Sequence, residues 1–196
     1  MSSNSSSNNE DSDSGTPKNG VRKPLKARAA QIAKPESNQE KKTGCNCTAV
    51  VLVVEDNFYN VVPLKMILRT SYNIQIERAE NGKLGYEAYE RNLRKTCCEK
   101  YFKLVFMDIN MPVMDGYESA RIMFETHSQL VQQPEFAHIP RPVIFAMTAH
   151  QNESTVSKCV QTGMNGILYK PVNKKGLHEQ ILKFFPDHCE NLNQRS

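Results

Sequence analysis

The stretch LVFMDINMPVMDG, residues 104–116, decides the fold class of this chain. It begins with four apolar residues and then changes abruptly to the carboxylate of Asp108. An uninterrupted apolar run of this length is typical of a strand that is buried on both faces of a parallel sheet. A second such run, AVVLVV at residues 49–54, is followed by the acidic segment EDN at residues 55–57. The two runs predict buried parallel strands whose carboxyl ends carry charged side chains.

Further apolar runs and amphipathic segments alternate with these two strands along the chain. Short strands that alternate with helices predict an α/β domain with a parallel sheet and helices on both faces. The predicted strands are residues 49–54, 74–79, 104–107, 143–147 and 166–169. The predicted helices are residues 58–70, a segment after the Asn81-Gly82 turn that contains Leu84 and Ala88 and runs to about Leu93, residues 116–126, a segment around 156–160 that Gly163 closes, and residues 177–185.

Two connecting segments carry turn signals. Asp115-Gly116 predicts a turn in which Gly116 has a positive φ. Residues 128–142 contain Pro134, Pro140 and Pro142, and we expect them to form an exposed loop.

Composition divides the 196 residues into a polar leader, one domain and a short tail. Ten of residues 1–48 are apolar, against 64 of residues 49–185. The leader, which is Ser- and Asn-rich and then basic, has too few apolar groups to offset its ordering entropy, so we predict that it is disordered. We assign the domain to residues 49–185 and a polar tail to residues 186–196.

The same composition excludes several classes of protein. The net charge of +4 is too small to favour a nucleic-acid binder. The sequence has no signal-peptide pattern and no long apolar run, so we expect no membrane segment. We therefore expect a cytoplasmic location, with the nucleus as a further compartment.

Cysteines raise the question of disulfides or a metal site. An even number of cysteines fits a secreted disulfide framework, but the sequence shows no route to secretion. Cys45-x-Cys47 has no second Cys or His pair at zinc spacing, so we interpret the thiols as reduced. The six cysteines are Cys45, Cys47, Cys97, Cys98, Cys159 and Cys189.

Four of the predicted strands end in side chains with useful chemistry. They are followed by Glu55-Asp56, Asp108, Thr148 and Lys170. The carboxyl ends of parallel strands meet at one edge of the sheet, where carboxylates that lie close together repel one another unless a cation binds. Mg²⁺ prefers such oxygen ligands, and a carboxylate beside a metal ion and a lysine can attack phosphorus to form an aspartyl phosphate. Asp108 stands alone on its strand, so we expect it to be the nucleophile.

These residues give the chain a resemblance to the receiver domains of the two-component response-regulator family. The resemblance extends over about residues 49–185, and it is most similar to the receivers of hybrid histidine kinases and their relay partners. It implies a flavodoxin-like three-layer sandwich of five βα units with strand order 2-1-3-4-5. The stretches that carry it are VLVVEDN (51–57), VFMDINMPVMDG (105–116), AMTAH (146–150) and GMNGILYKPV (163–172).

The resemblance also implies roles for the acidic residues. Asp108 would be the phosphoacceptor. Asp56, Asp108 and the backbone carbonyl of Asn110 would bind Mg²⁺ or Mn²⁺, and Glu55 would act through metal-bound water. A magnesium-dependent phosphoacceptor is therefore the expected site.

Further roles follow from the resemblance for residues at the ends of strands four and five. Thr148 and Lys170 would contact the phosphoryl group and act as the switch. Ala149 would support this loop, and the peptide bond before Pro171 is expected to be cis.

Asn110 and His150 occupy positions that tune dephosphorylation in the family. Many receivers place an aromatic switch residue three positions before the active-site lysine, where this chain has Ile167. Tyr169 lies two residues further on and is interpreted as an ordinary strand aromatic. The sequence therefore does not favour the aromatic form of the switch.

The sequence predicts a phosphorelay receiver and not an enzyme. A histidine kinase or a histidine phosphotransfer protein would pass a phosphoryl group to Asp108, and the downstream partner would bind the face formed by helix 4, strand 5 and helix 5. Self-phosphorylation and slow autodephosphorylation are the only reactions expected. The segments outside residues 49–185 are too short and polar for a DNA-binding domain, so we expect a stand-alone response regulator or the C-terminal receiver of a hybrid histidine kinase.

Two alternatives remain open at the level of sequence. An aspartyl-phosphate hydrolase on a similar scaffold typically needs a second Asp two residues after the nucleophile, and Asn110 occupies that position. A pseudo-receiver that only binds partners would not need the intact set of Asp56, Asp108, Thr148 and Lys170.

Overall fold

Strands and helices alternate in the structure as the sequence predicts. The structure, a computed structural model, describes Cys45 and residues 47–184. None of the helices in this part of the chain combines the length and the apolar character that crossing a membrane requires. The elements are β1 (Val51–Val54), α1 (Phe58–Tyr72), β2 (Ile76–Ala79), α2 (Gly82–Leu93), β3 (Leu104–Asp108), α3 (Gly116–Leu130), β4 (Val143–Thr148), α4 (Glu153–Thr162), β5 (Gly166–Tyr169) and α5 (Lys174–Phe184).

The five strands form one parallel sheet in the order β2-β1-β3-β4-β5. This order confirms the predicted flavodoxin-like fold. The direction in which the chain adds strands reverses between β1 and β3, where Val54 lies beside Met107. Ligands in open α/β sheets bind beyond the carboxyl ends of the strands at such a reversal. The fold therefore places a crevice beside the residues that follow β1 and β3.

Both faces of the sheet are covered, which explains the unbroken apolar runs. Leu52 and Val54 belong to a core cluster that also contains residues of α2, α3 and α4. Val51 and Val53 point to the other face and pack with residues of α1 and α5. The central strands β1, β3 and β4 thus bury every side chain except that of Val143, which is half-buried, and polar groups appear only where the strands end.

The connection between α3 and β4 differs from the prediction. Helix α3 continues to Leu130, because His127 and Leu130 are buried and belong to its inner face. The following segment is tied to the helix, since the ring of His127 lies 3.1 Å from the carbonyl oxygen of Ile139, which is itself buried. The predicted exposed loop therefore begins at residue 131 and not at residue 128; most of its residues are exposed, whereas Ile139 and Pro142 are buried.

The prediction of a positive φ at Gly116 was also wrong. Gly116 is the first residue of α3, and Asp115 caps the helix by accepting a hydrogen bond from the backbone N–H of Glu118 at 2.8 Å. In this loop it is Val113 that has a positive φ, of 71°. Gly116 is needed for space, because a Cβ atom there would lie 2.2 Å from the carbonyl oxygen of Asp108.

Candidate functional site

Three carboxylates meet at the carboxyl edge of the sheet. Glu55 and Asp56 follow β1, and Asp108 ends the neighbouring strand β3. One carboxylate oxygen of each residue lies within 4.8 Å of the others. Glu55 is completely buried and Asp108 is 5% exposed, whereas Asp56 is open to solvent. The cluster therefore has a buried floor and one exposed side.

Lys170 lies over two of these carboxylates. Its Nζ atom is 2.7 Å from Oε2 of Glu55 and 2.8 Å from Oδ2 of Asp108. The lysine follows β5, its backbone N–H donates to the carbonyl oxygen of Thr148 at 2.8 Å, and the peptide bond to Pro171 is cis. The side chain must reach across β4 to make both contacts. Lys170 thus offsets the repulsion between two acids that come from different strands.

The environment of Glu55 favours its protonated form. Burial raises the pKa of Glu55, and the negative charge of Asp108 acts in the same direction. Hydrogen bonds from Lys170 and from the side-chain amide of Asn60 oppose this effect by stabilising the carboxylate. The amide nitrogen of Asn60 donates to Oε1 of Glu55 at 2.6 Å. Lys170 and Asn60 therefore help to keep Glu55 ionised.

Arg78, on β2, positions the loop that carries the first two acids. Its guanidinium donates to the carbonyl oxygen of Glu55 at 3.2 Å and to that of Asp56 at 2.9 Å, and it lies 5.6 Å from the ring centre of Phe58. Neither Arg78 nor Asn60 is among the site residues predicted from the sequence. The sequence holds no signal for this role of Arg78 beyond its place near the end of a strand, because the atoms that it contacts in the acidic loop are backbone oxygens.

Thr148 ends β4 beside the acidic cluster. It is 1% exposed, and its hydroxyl accepts a hydrogen bond from the backbone N–H of His150 at 3.0 Å. Ala149 and His150 are exposed. Asp108 pairs in register with Met147, the residue before Thr148. The end of β4 is thus joined to the start of the loop that leads into α4.

The remaining predicted residues lie around this centre. The backbone N–H of Asn110, an exposed residue, points to Oδ1 of Asp108 at 3.3 Å. Ile167 is half-buried and packs against the core cluster that contains α4 residues. Tyr169 is 39% exposed and pairs in register with Thr148. The structure therefore places an aliphatic side chain inside β5 and an aromatic side chain at its exposed end.

The donor set suits a hard divalent cation. The three carboxyl groups of the cluster face one ammonium group, that of Lys170, and Asp56 offers an open side. Oxygen ligands of this kind are preferred by Mg²⁺ and Mn²⁺. Glu55, Asp56 and Asp108 can therefore hold such an ion.

Comparison with known proteins identifies the class to which this geometry belongs. The family model of the response regulator receiver domain matches residues 51–182. The chain therefore belongs to the response-regulator receiver family, as the motifs predict. Its fold and its sequence place it among the receivers of phosphorelay systems.

Similar sequences occur as receivers within much longer kinases. The chain is 32% identical over 134 residues to hybrid signal transduction histidine kinase B of Dictyostelium discoideum. The match covers 68% of this chain and 6% of that protein. It is 30% identical over 135 residues to the osmosensing histidine protein kinase SLN1 of Saccharomyces cerevisiae, with 68% of this chain and 10% of that protein covered. The chain thus spans a tenth or less of these two relatives.

Two solved structures share the fold and bear on the site. The receiver domain of the Saccharomyces cerevisiae response regulator Ssk1, solved in complex with the histidine phosphotransfer protein Ypd1, is 27% identical with a TM-score of 0.58, and covers 70% of this chain and 88% of its own. The receiver domain of the Pseudomonas aeruginosa sensor histidine kinase PA1611 is 25% identical with a TM-score of 0.52, and covers 70% and 98%. That structure holds a magnesium ion in its active-site cleft.

Proposed function

We propose that this domain accepts a phosphoryl group on Asp108 from a phosphohistidine of a histidine kinase or a histidine phosphotransfer protein. The observation that carries this proposal is the position of the Asp108 carboxylate, which lies between two other acids and the Nζ atom of Lys170 at 2.8 Å. In the transfer, the P–N bond of the donor histidine breaks and a P–O bond to Asp108 forms. The electron pair of the broken bond stays on the imidazole nitrogen.

The metal ligands that we assign are those that membership of the receiver family implies. Asp56, Asp108 and the backbone carbonyl of Asn110 would hold Mg²⁺, and Glu55 would hold it through a water molecule. The bound ion would supply positive charge that offsets the negative charge on the transferring group. Glu55, which Lys170 and Asn60 contact on its two oxygens, keeps the buried side of this site negative.

Lys170 and Thr148 give the site a means of sensing the phosphoryl group. Lys170 is already within contact distance of Asp108, so a phosphoryl oxygen on that residue would meet the ammonium group. The hydroxyl of Thr148 can donate to a phosphoryl oxygen while it accepts from the N–H of His150, because a hydroxyl has one donor and two acceptor sites. Phosphorylation would in this way act on the loop that leads into α4.

The surface beyond that loop has the character of a partner-binding face. Large apolar side chains are exposed on α4, β5 and α5, namely Val156, Val160, Tyr169 and Leu182. Apolar groups that are grouped on a surface mark interaction sites more often than isolated ones do. We assign binding of the downstream partner to this face.

A second exposed apolar surface lies on α1, directly after the acidic segment. Phe58 is 57% exposed and Met66 is 62% exposed, and both line one groove together with Val62. This groove adjoins the loop that carries Asp56, so a protein bound there would bring its own histidine to the crevice. We assign docking of the phosphodonor protein to this groove.

The substitution Asp108→Asn tests the phosphoacceptor. We expect it to abolish the alkali-labile phosphorylation of the chain, both by a histidine phosphotransfer protein from the same organism and by acetyl phosphate, in the presence of Mg²⁺. Asp115→Asn is the matched control, because asparagine also caps helices and Asp115 lies outside the acidic cluster. Labelling of the Asp108 variant at the rate of the unaltered chain would contradict the proposal, as would turnover of simple phosphate esters, which would indicate a hydrolase.

The substitutions Met66→Asp and Val160→Asp separate the two surfaces. Both residues are exposed, at 62% and 69%, so neither change should unfold the domain. We expect Met66→Asp to slow transfer from the protein donor at least tenfold. The rate of transfer from acetyl phosphate should not change, because this small donor needs no docking surface. Val160→Asp should leave transfer unchanged and weaken binding of the downstream partner. Equal loss of both transfer reactions in Met66→Asp would mean that α1 affects the site itself.

A further inference from the structure

Four cysteines gather at the amino edge of the sheet, opposite the acidic cluster. Cys45 and Cys47 precede β1, and Cys97 and Cys98 lie between α2 and β3. One sulfur of each residue lies within 4.8 Å of the other three, and all four side chains are half-buried. A central strand of four or five residues separates this cluster from Asp108, which corresponds to about 15 Å.

The sheet itself brings the two cysteine pairs together. β1 and β3 are parallel neighbours that begin in register, with Val51 beside Leu104. The segments that enter these strands are joined by a hydrogen bond from the N–H of Lys103 to the carbonyl oxygen of Val50 at 3.1 Å. Phe102 is buried nearby and anchors the second segment in the core. Backbone pairing therefore fixes the pairs side by side, independently of any bond between sulfurs.

We propose that Cys45, Cys47, Cys97 and Cys98 form a tetrathiolate Zn²⁺ site that ties the segment before β1 to the connection between α2 and β3. This site is separate from the acidic cluster in place and in chemistry, because one offers soft sulfur ligands and the other hard oxygen ligands.

The sulfur positions match tetrahedral coordination. A Zn–S bond of about 2.3 Å in a regular tetrahedron places the sulfurs about 3.8 Å apart. The Sγ atoms of Cys47 and Cys97 are 3.6 Å apart, and those of Cys97 and Cys98 are 4.0 Å apart. A disulfide would use two of the sulfurs at a time, whereas one metal ion can use all four.

The charge of the surrounding sequence suits such a centre. Zinc binding replaces the protons of four thiols, so Zn²⁺ with four thiolates carries a net charge of −2. The segment RKTCCEKYFK, residues 94–103, contains four basic residues and one acidic residue. The basic character of this segment would lower the cost of placing a negative centre there.

Metal analysis of the full chain tests the proposal. The chain is purified without chelators, and elemental analysis is expected to find one zinc ion per chain. The variant in which Cys97→Ser and Cys98→Ser are combined should lose this zinc. Cys159→Ala is the matched control, since Cys159 is a cysteine on α4 outside the cluster, and it should retain one zinc ion. Acceptance of phosphate from acetyl phosphate by each variant shows that the domain has folded.

A second measurement on the unaltered chain does not depend on any variant. Removal of zinc by a chelator should release four thiols to a thiol reagent and lower Tm by on the order of 5 °C. Cobalt added in its place should give the intense visible bands of a tetrahedral tetrathiolate complex. Each of three results would overturn the proposal. The first is a purified chain that holds no metal and whose four cluster thiols react freely, and the second is a mass that shows two disulfides. The third is full zinc retention by the variant with Cys97→Ser and Cys98→Ser.

Discussion

The two edges of the sheet hold different ligands by the same principle. At the carboxyl edge, Asp108 on β3 meets Glu55 after β1, and at the amino edge Cys97 meets Cys47 across the same pair of strands. The carboxylate side is crossed by a lysine that belongs to the protein, whereas the thiol side has no comparable cation bonded to it among the described contacts. Strand pairing therefore assembles both clusters, but only the carboxyl edge has a counter-charge among the described contacts.

The largest effect is expected from removing the counter-charge that Lys170 supplies at the carboxyl edge. Lys170→Met removes the one cation between Glu55 and Asp108 and leaves two poorly solvated carboxylates facing each other. Without Mg²⁺ at pH 7, we expect the free energy of unfolding to fall by about 3 kcal/mol, since removing one partner of a buried ion pair leaves the other uncompensated. Urea unfolding of the variant and of the unaltered chain measures this difference.

The pH dependence of the same variant has a defined sign. Burial already raises the pKa of Glu55, and loss of Lys170 removes a hydrogen bond that opposes this rise. Between the pKa of unfolded Glu, about 4.3, and the raised value, the folded state binds more protons, so stability falls as pH rises through that window. Lys175→Met removes an exposed cation and should change stability by less than about 0.5 kcal/mol. Equal losses in both variants would contradict the role of Lys170.

The next largest effect is expected from filling the space behind Asp108, the proposed phosphoacceptor. Gly116→Ala would place a Cβ atom 2.2 Å from the carbonyl oxygen of Asp108, and the backbone of β3 or α3 would have to move. We expect a loss of about 2 kcal/mol in stability and slower phosphorylation by acetyl phosphate. Gly176→Ala is the matched control, because its Cβ would meet only the side-chain oxygen of Asn173 at 3.5 Å.

The control variant Gly176→Ala is expected to change stability in the opposite direction. Alanine within a helix is favoured over glycine, so Gly176→Ala in α5 should raise stability by up to about 1 kcal/mol. A loss of stability in both glycine variants would show that the effect at Gly116 is not one of space beside Asp108.

Most of the fold could be predicted because its signals are local. Continuous apolar runs mark the strands that are buried on both faces, and β1, β3 and β4 were found in this way. Element ends were less predictable. Helix α3 runs past the predicted end at residue 126, because His127 and Leu130 pack against the core, and a histidine gives no apolar signal.

The two clusters differ in how far the sequence could reveal them. Glu55, Asp108 and Lys170 directly follow apolar strands, so topology alone brings them together. Cys97 and Cys98 lie in an irregular segment, and a vicinal pair with a CxC pair does not have the usual zinc spacing. Their meeting depends on the register of β1 with β3, which sequence spacing does not contain. The sequence therefore predicts reduced thiols, and only the structure brings the two pairs together.

The smallest expected effect tests whether the two edges act independently. Lys170→Met can be combined with the double substitution Cys97→Ser and Cys98→Ser, and unfolding free energies can be measured for each set and for their combination without added Mg²⁺. Sites separated by more than about 10 Å without shared partners have additive effects, so the combined loss should equal the sum to within about 0.5 kcal/mol. A coupling above about 1 kcal/mol would mean that β1 and β3 transmit strain between their ends, and that the state of the thiols can change the phosphoacceptor site.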